Sequence, residues 1–184
     1  MLIAVSMLAA TTHTASADST TTTTTTTTEA QLLAHARAVH HVKLIIRARR
    51  HRAVRLAGSL GIAYRPHRVE AGHTDLGYLR YVAHRLRVRN RRYLAMRAWL
   101  FPKLLCIHHY EGAWNAYNGA GPYYGGFQMD AGFMYRWGYD KLRKYDGADA
   151  RYWSARDQMA VASRAARHIG FGSWPNTAAM CGLL

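Results

Sequence analysis

Apolar and polar positions along this chain recur with a helical period. Between residues 76 and 100, Leu76, Leu79, Ala83 and Leu86 return at three- and four-residue steps, which puts them on one face of a helix. Arg80, Arg85, Arg87 and Arg89 fall mainly on the other faces. Residues 31–57 are rich in Ala, Leu, Val and Arg with few breakers and read as a second helix, and Gly58, Gly61, Pro66 and Gly72 mark the break between the two. Pro102 suits the first position of a further short helix continuing through residues 103–110, with Gly112 as its left-handed stop. Residues 133–145 read as a short helix with a turn at Gly138, and Asp146-Gly147 as another turn. Ser154 has the character of an N-cap, with Asp157 near the positive end of the dipole, opening a helix over 155–169 that Gly170 ends. The small residues Ala155, Ala160, Ala162, Ala165 and Ala166 permit close packing there, and 170–183 reads as a Gly/Pro-shaped loop. The expected fold is mainly α: a basic helical segment over 31–98, then a small helical domain over 99–184.

The N-terminal residues change this picture. Residues 2–10 form an apolar run too short for a stable membrane anchor but suited to the core of a signal peptide. Ala15-Ser16-Ala17 supplies a small-residue cleavage pattern, giving a signal peptide over 1–17, although no Lys or Arg precedes the apolar run. Residues 20–28 are an unbroken threonine run with nothing to bury, expected as a disordered linker spanning 18–30. Export, in turn, sets the reading of the two cysteines. In a reducing compartment Cys106 and Cys181 would be unrelated thiols; in an exported protein they are a natural pair.

The formal net charge is +15, and most of the 25 Lys and Arg lie between residues 31 and 105, against only Glu70 and Asp75. So extended a basic surface calls for an anionic partner: wall phosphate polymers, a membrane surface or nucleic acid. Zinc-ligand spacing and a helix-turn-helix signature are both missing, so no specific nucleic-acid reader is expected. His35, His40, His41, His51, His67, His73 and His84 are scattered without a supporting Cys or carboxylate cluster, so neither a metal nor a cofactor is expected.

The chemistry concentrates between Cys106 and Asp130. Counting back from Glu111 by helical steps gives His108, Ile107 and Leu104, so the carboxylate shares a face with apolar side chains. Partial burial, and a place in the last turn at the negative end of the dipole, both raise the expected pKa of such a group. The bland reading is that Glu111 merely ends a surface helix. After it come Trp114, Asn115, Tyr117, Asn118, Tyr123, Tyr124 and Gln128, interleaved with Gly119, Gly121, Gly125 and Gly126. Aromatic faces and amide forks suit the faces and hydroxyl edges of sugars, while some of the aromatics, Tyr123 and Phe127 in particular, are equally expected as core.

Four features in order carry a family resemblance: Cys106 ahead of Glu111, Gly112, Trp114 and Asn115; YYGGFQ at 123–128; DQMAVASRAARHIG at 157–170; and GFGSWP at 170–175 before Cys181. Over about 99–184 the chain resembles the lysozyme-like transglycosylase domain of actinobacterial resuscitation-promoting factors. The resemblance implies a small α-helical lysozyme-like fold with Cys106–Cys181 as its disulfide. It also implies Glu111 as the single catalytic acid, acting on the β-1,4 bond between N-acetylmuramic acid and N-acetylglucosamine in peptidoglycan. Tyr124, Gln128 and Trp174 are implied to line the sugar groove, and Trp114 joins them as an aromatic contact. Asp130 is the only acid within the core motif that could act as a second carboxylate. The chain departs from the pattern in having Glu111 five residues after Cys106, a slightly shorter spacing to YYGG, and Asp130, Gly132 and Phe133 where small hydroxyl residues are usual. The expectation is a secreted, wall-associated glycan-cleaving enzyme whose basic segment holds anionic wall polymers. The alternative is a non-catalytic cationic wall-binding or antimicrobial protein.

Overall fold

The computed structural model describes residues 18–66, 69 and 72–184, with side chains from Thr28 onward. The expected signal peptide, and His67 and Glu70, lie outside the described residues. The fold is mainly α, as the periodicity implies. Helix α1 spans Asp18–Ser59, α2 Leu76–Glu111, α3 Ala131–Lys144, α4 Ala155–Ile169 and α5 Pro175–Met180. Strands β1 (Tyr117–Asn118) and β2 (Tyr123–Tyr124) form a small antiparallel hairpin, and a 3-10 turn covers Ala150–Tyr152. Among the described residues no helix is long and apolar enough to cross a membrane.

Three expectations are corrected. The threonine run is the first part of α1, where a linker was expected. Extending a formed helix costs only the weak propensity of each added threonine, far less than nucleating a new one. Pro102 lies inside α2 instead of opening a helix, so the two helices expected over 76–110 are one. An interior proline costs about 3 kcal/mol. Leu100, Leu104 and Ile107 on either side of it are fully buried, each burial contributing about 1.5–3 kcal/mol, and together they outweigh the break. Finally, Gly138 makes no turn but sits buried in α3, where a Cβ would stand 2.7 Å from the Trp153 ring.

Helices α1 and α2 run parallel. Arg49 donates to the Ala83 carbonyl and Asn90 donates to the Arg49 carbonyl, while Leu60, at the end of α1, packs with Leu100 and Leu104. Residues 60–66 and 72–75 lie alongside, with Tyr64 edge-on to Tyr93 and His73 against Tyr78. Asp75 then caps α2 by accepting from the amides of Gly77 and Tyr78. Val39, Ile46, Leu79, Val82, Ala83 and Leu86 fill the first part of this pair.

Its second part belongs to the main core, where α4 lies against Leu60, Leu100, Leu104 and Ile107 through Val161, Ala162, Ala165 and Ala166. Arg164 of α4 donates to the Gly61 and Trp137 carbonyls and pairs with Asp140. The basic helices therefore share a core with residues 99–184, and α2 passes unbroken through the expected boundary at 98/99.

Ser154 caps α4 as expected, accepting from the Asp157 amide. The Asp157 carboxylate in turn fastens α3 to α4 through Lys141, Lys144 and the Tyr145 hydroxyl. Burial alone would raise its pKa. The hydrogen bonds from Lys144, Tyr145 and Lys141 outweigh burial and hold it well below the usual carboxylate range. A depressed folded-state pKa contributes stability that is complete above the unfolded value near 4 and is lost as pH falls through the folded value. Asp157→Asn should cost about 1–2 kcal/mol at neutral pH, and its deficit in thermal melting should shrink steadily below about pH 4. A deficit of constant size from neutral pH down to pH 2 would contradict this account.

Candidate active site

Glu111 is the last residue of α2 and is half-buried. Gly112 follows with φ 129° and its amide donates to the His108 carbonyl, a cap that a side chain would strain. The Glu111 carboxylate accepts from the Thr177 hydroxyl at 2.7 Å. Among the described residues no cation lies within ion-pair distance of it. Thr177 stands on α5, in a stretch the sequence reads as loop. The Cys106–Cys181 disulfide fastens that helix to α2, with Cα atoms 6.1 Å apart.

Trp174, expected in a sugar groove, is instead core. It is only 4% exposed, packs against Phe127 and Phe133, and spends its Nε1–H on the Phe127 carbonyl. A large ring whose single polar atom is already paired is better placed inside than in water. Trp114 is half-buried and stacks on His108 at 3.7 Å between ring centroids. His108 donates from Nδ1 to the Gly126 carbonyl, and Phe127, fully buried, touches both rings. His108, Trp114, Phe127 and Trp174 thus form a continuous aromatic wall that ends at the helix carrying Thr177. Tyr123, by contrast, is exposed.

Tyr124 pairs with Tyr117 across the hairpin and stacks on it, 5.5 Å apart and 14° from parallel. The Arg151 guanidinium lies over both rings and makes paired hydrogen bonds to Asp149. Gln128 has φ 47°, in the left-handed region, and donates from Nε2 to the Gly125 carbonyl; such strain in a non-glycine residue tends to gather at functional sites. Asp130 is exposed and caps α3, accepting from the Phe133 amide at 2.6 Å. Two cavities lie elsewhere: one of about 520 Å³ between α1, α2 and α4, and one of about 260 Å³ along α1 and α2. Glu111 lines neither. No group of three His, Cys, Asp or Glu that could hold a metal occurs among the described residues.

The loop carrying these residues is held by Gln158, which is fully buried in α4. Its Oε1 accepts from the Gly126 amide, and its Nε2 donates to the carbonyls of Trp114, Ala150 and Trp153. Gly125, at φ 74°, lets the loop pass so close that a Cβ would meet that amide oxygen at 2.5 Å. Gln158 and Thr177 are missing from the sequence-derived site because their roles are set by contacts 44 and 66 residues away.

Comparison of the chain with protein-family models, with curated proteins and with solved structures finds no match. The family resemblance therefore rests on the residues quoted above.

Gln158→Leu should destabilise the protein by about 3 kcal/mol in urea unfolding, because it strands a buried amide and several carbonyls. Replacing both cysteines by serine should cost about 4 kcal/mol for a loop of this length, read from the same curves. Wild-type stability in either variant would remove the assigned constraint.

Proposed function

We propose that the chain is a secreted peptidoglycan-cleaving enzyme that cuts the N-acetylmuramic acid β-1,4 N-acetylglucosamine bond with Glu111 as acid and then base. The observation that carries this reading is the setting of Glu111: a half-buried carboxyl closing a helix, without a cationic partner among the described residues, held by one hydroxyl on a disulfide-fixed helix. A hydroxyl both donates and accepts, so Thr177 can follow the group through both protonation states.

The protonated carboxyl gives its proton to the bridging oxygen as the C1–O bond breaks. The carboxylate then takes the proton of the muramic acid 6-hydroxyl as that oxygen bonds to C1, which restores the acid and leaves a 1,6-anhydro ring. No water is consumed. Hydrolysis would need a second carboxylate beside the bond. Asp130, the one candidate, is engaged as the cap of α3, which favours the intramolecular route. The stacked Tyr117–Tyr124 pair and Trp114 offer faces for sugar rings. The arginine-rich flanks of α1 and α2 suit retention on anionic wall polymers.

Glu111→Gln should keep the wild-type melting curve and lose at least about 10³-fold of activity on purified peptidoglycan, within the range expected for acid–base catalysis. Mass spectrometry of wild-type digests should find anhydro-muropeptides. Reducing ends alone would overturn the intramolecular route, and full activity in Glu111→Gln would overturn the enzyme. Thr177→Val should lower kcat about 10-fold with little change in KM.

A further inference from the structure

The 260 Å³ cavity lies far from Glu111. Arg85 and Arg89 of α2, Arg50 of α1 and Tyr64 of the returning segment line it, over an apolar floor of Val82 and Leu86. Among the described residues no carboxylate lines it. Arg50 Nη2 and the Tyr64 hydroxyl are both buried and have no hydrogen-bond partner among the described residues. The Arg89 guanidinium sits over the Tyr64 ring, 5.1 Å from its centroid, which brings a second charge to the same side chain.

Burying a donor without an acceptor is costly, and more so for a charged donor. Three arginines lining one space also bring like charges near one another. A bound oxyanion removes both penalties at once, because it supplies acceptors to the stranded atoms and a charge that turns repulsion into attraction. Donors arriving from α1, α2 and the returning segment approach from different sides. That arrangement suits the three free oxygens of a tetrahedral phosphoryl group better than the two coplanar oxygens of a carboxylate. The volume of about 260 Å³ and the Val82–Leu86 floor leave room for a small organic substituent.

We infer that this cavity binds the phosphoryl group of a small phosphate ester, either free or as one unit of a polyol-phosphate polymer. From Arg89 to Glu111 is about 33 Å along α2 at the helical rise, so the site stands independently of the proposed catalysis.

The test is calorimetric titration of the full chain at physiological salt with inorganic phosphate, glycerol 3-phosphate, poly(glycerol phosphate) and single-stranded DNA. Glycerol 3-phosphate should saturate one site. Arg89→Gln and Arg50→Gln should each weaken it at least about 10-fold, and Tyr64→Phe, which removes only a hydroxyl, about 5-fold. Arg91→Gln, an exposed neighbour on the same helix, and Glu111→Gln should leave it unchanged. Poly(glycerol phosphate) binding with the same variant pattern would identify a polymer as the source, and binding of the ester without the polymer would identify the free ester. Failure of glycerol 3-phosphate to saturate, or equal losses in Arg91→Gln and Arg89→Gln, would overturn the site. Polymer or DNA binding that ignores Tyr64→Phe and Arg50→Gln, with no ester binding, would also overturn it, leaving surface charge as the cause.

Discussion

The candidate site depends first on one buried side-chain amide. Gln158 has no water to fall back on, so both ends of its amide must find partners inside the protein. It finds them in the Gly126 amide and in the carbonyls of Trp114, Ala150 and Trp153. These stitch the segment after Glu111, the turn after β2 and the approach to α4 into one piece. An apolar residue of the same size would bury as well but would leave the loop without a fixed path, since only directional bonds select one backbone course among many. The glycines beside it follow from this: Gly125 supplies the left-handed turn, and Gly126 leaves room for the His108 ring.

A second constraint is the length of α2. Because this helix runs unbroken past Pro102, the arginine-rich pair and the core around α4 share one rigid element. Glu111 terminates that element, and the disulfide brings α5 to the same place. The carboxylate is therefore fixed by its own helix from one side and by a hydroxyl on a covalently fastened helix from the other.

Much of this was legible in the chain wherever the determinant is local. The apolar period of α2, the Ser154 cap, the small-residue face of α4 and the end of a helix at Glu111 each depend on residues within a few turns of one another. The cysteine pair was legible as one of two readings, and the structure forms it. What could not be read depends on distant partners. Trp174 looks like a groove aromatic until Phe127 arrives to cover it, and α5 looks like a loop because six residues, opened by Pro175 and flanked by Gly172 and Gly182, are too few to carry a helical period. Gly138 reads as a turn because the Trp153 ring it accommodates is not visible from its neighbours. Pro102 reads as a start for the same reason: the burial that overrides its local preference comes from elsewhere.

The parallel course of α1 and α2 bears on how the molecule assembles. Antiparallel helices joined by a short turn can zip from the turn outward, but in a parallel pair the connection must span the paired length before the two helices can register. The fastenings are correspondingly remote in sequence: Arg164 reaches Gly61 across 103 residues, Gln158 reaches Trp114 across 44, and the cysteines are 75 apart. Chains whose contacts close such long loops pay their entropy before they collect their stabilisation, and they fold slowly. The helices can form locally, but the α1–α2 pair and the core around α4 come into register only once these long loops have closed.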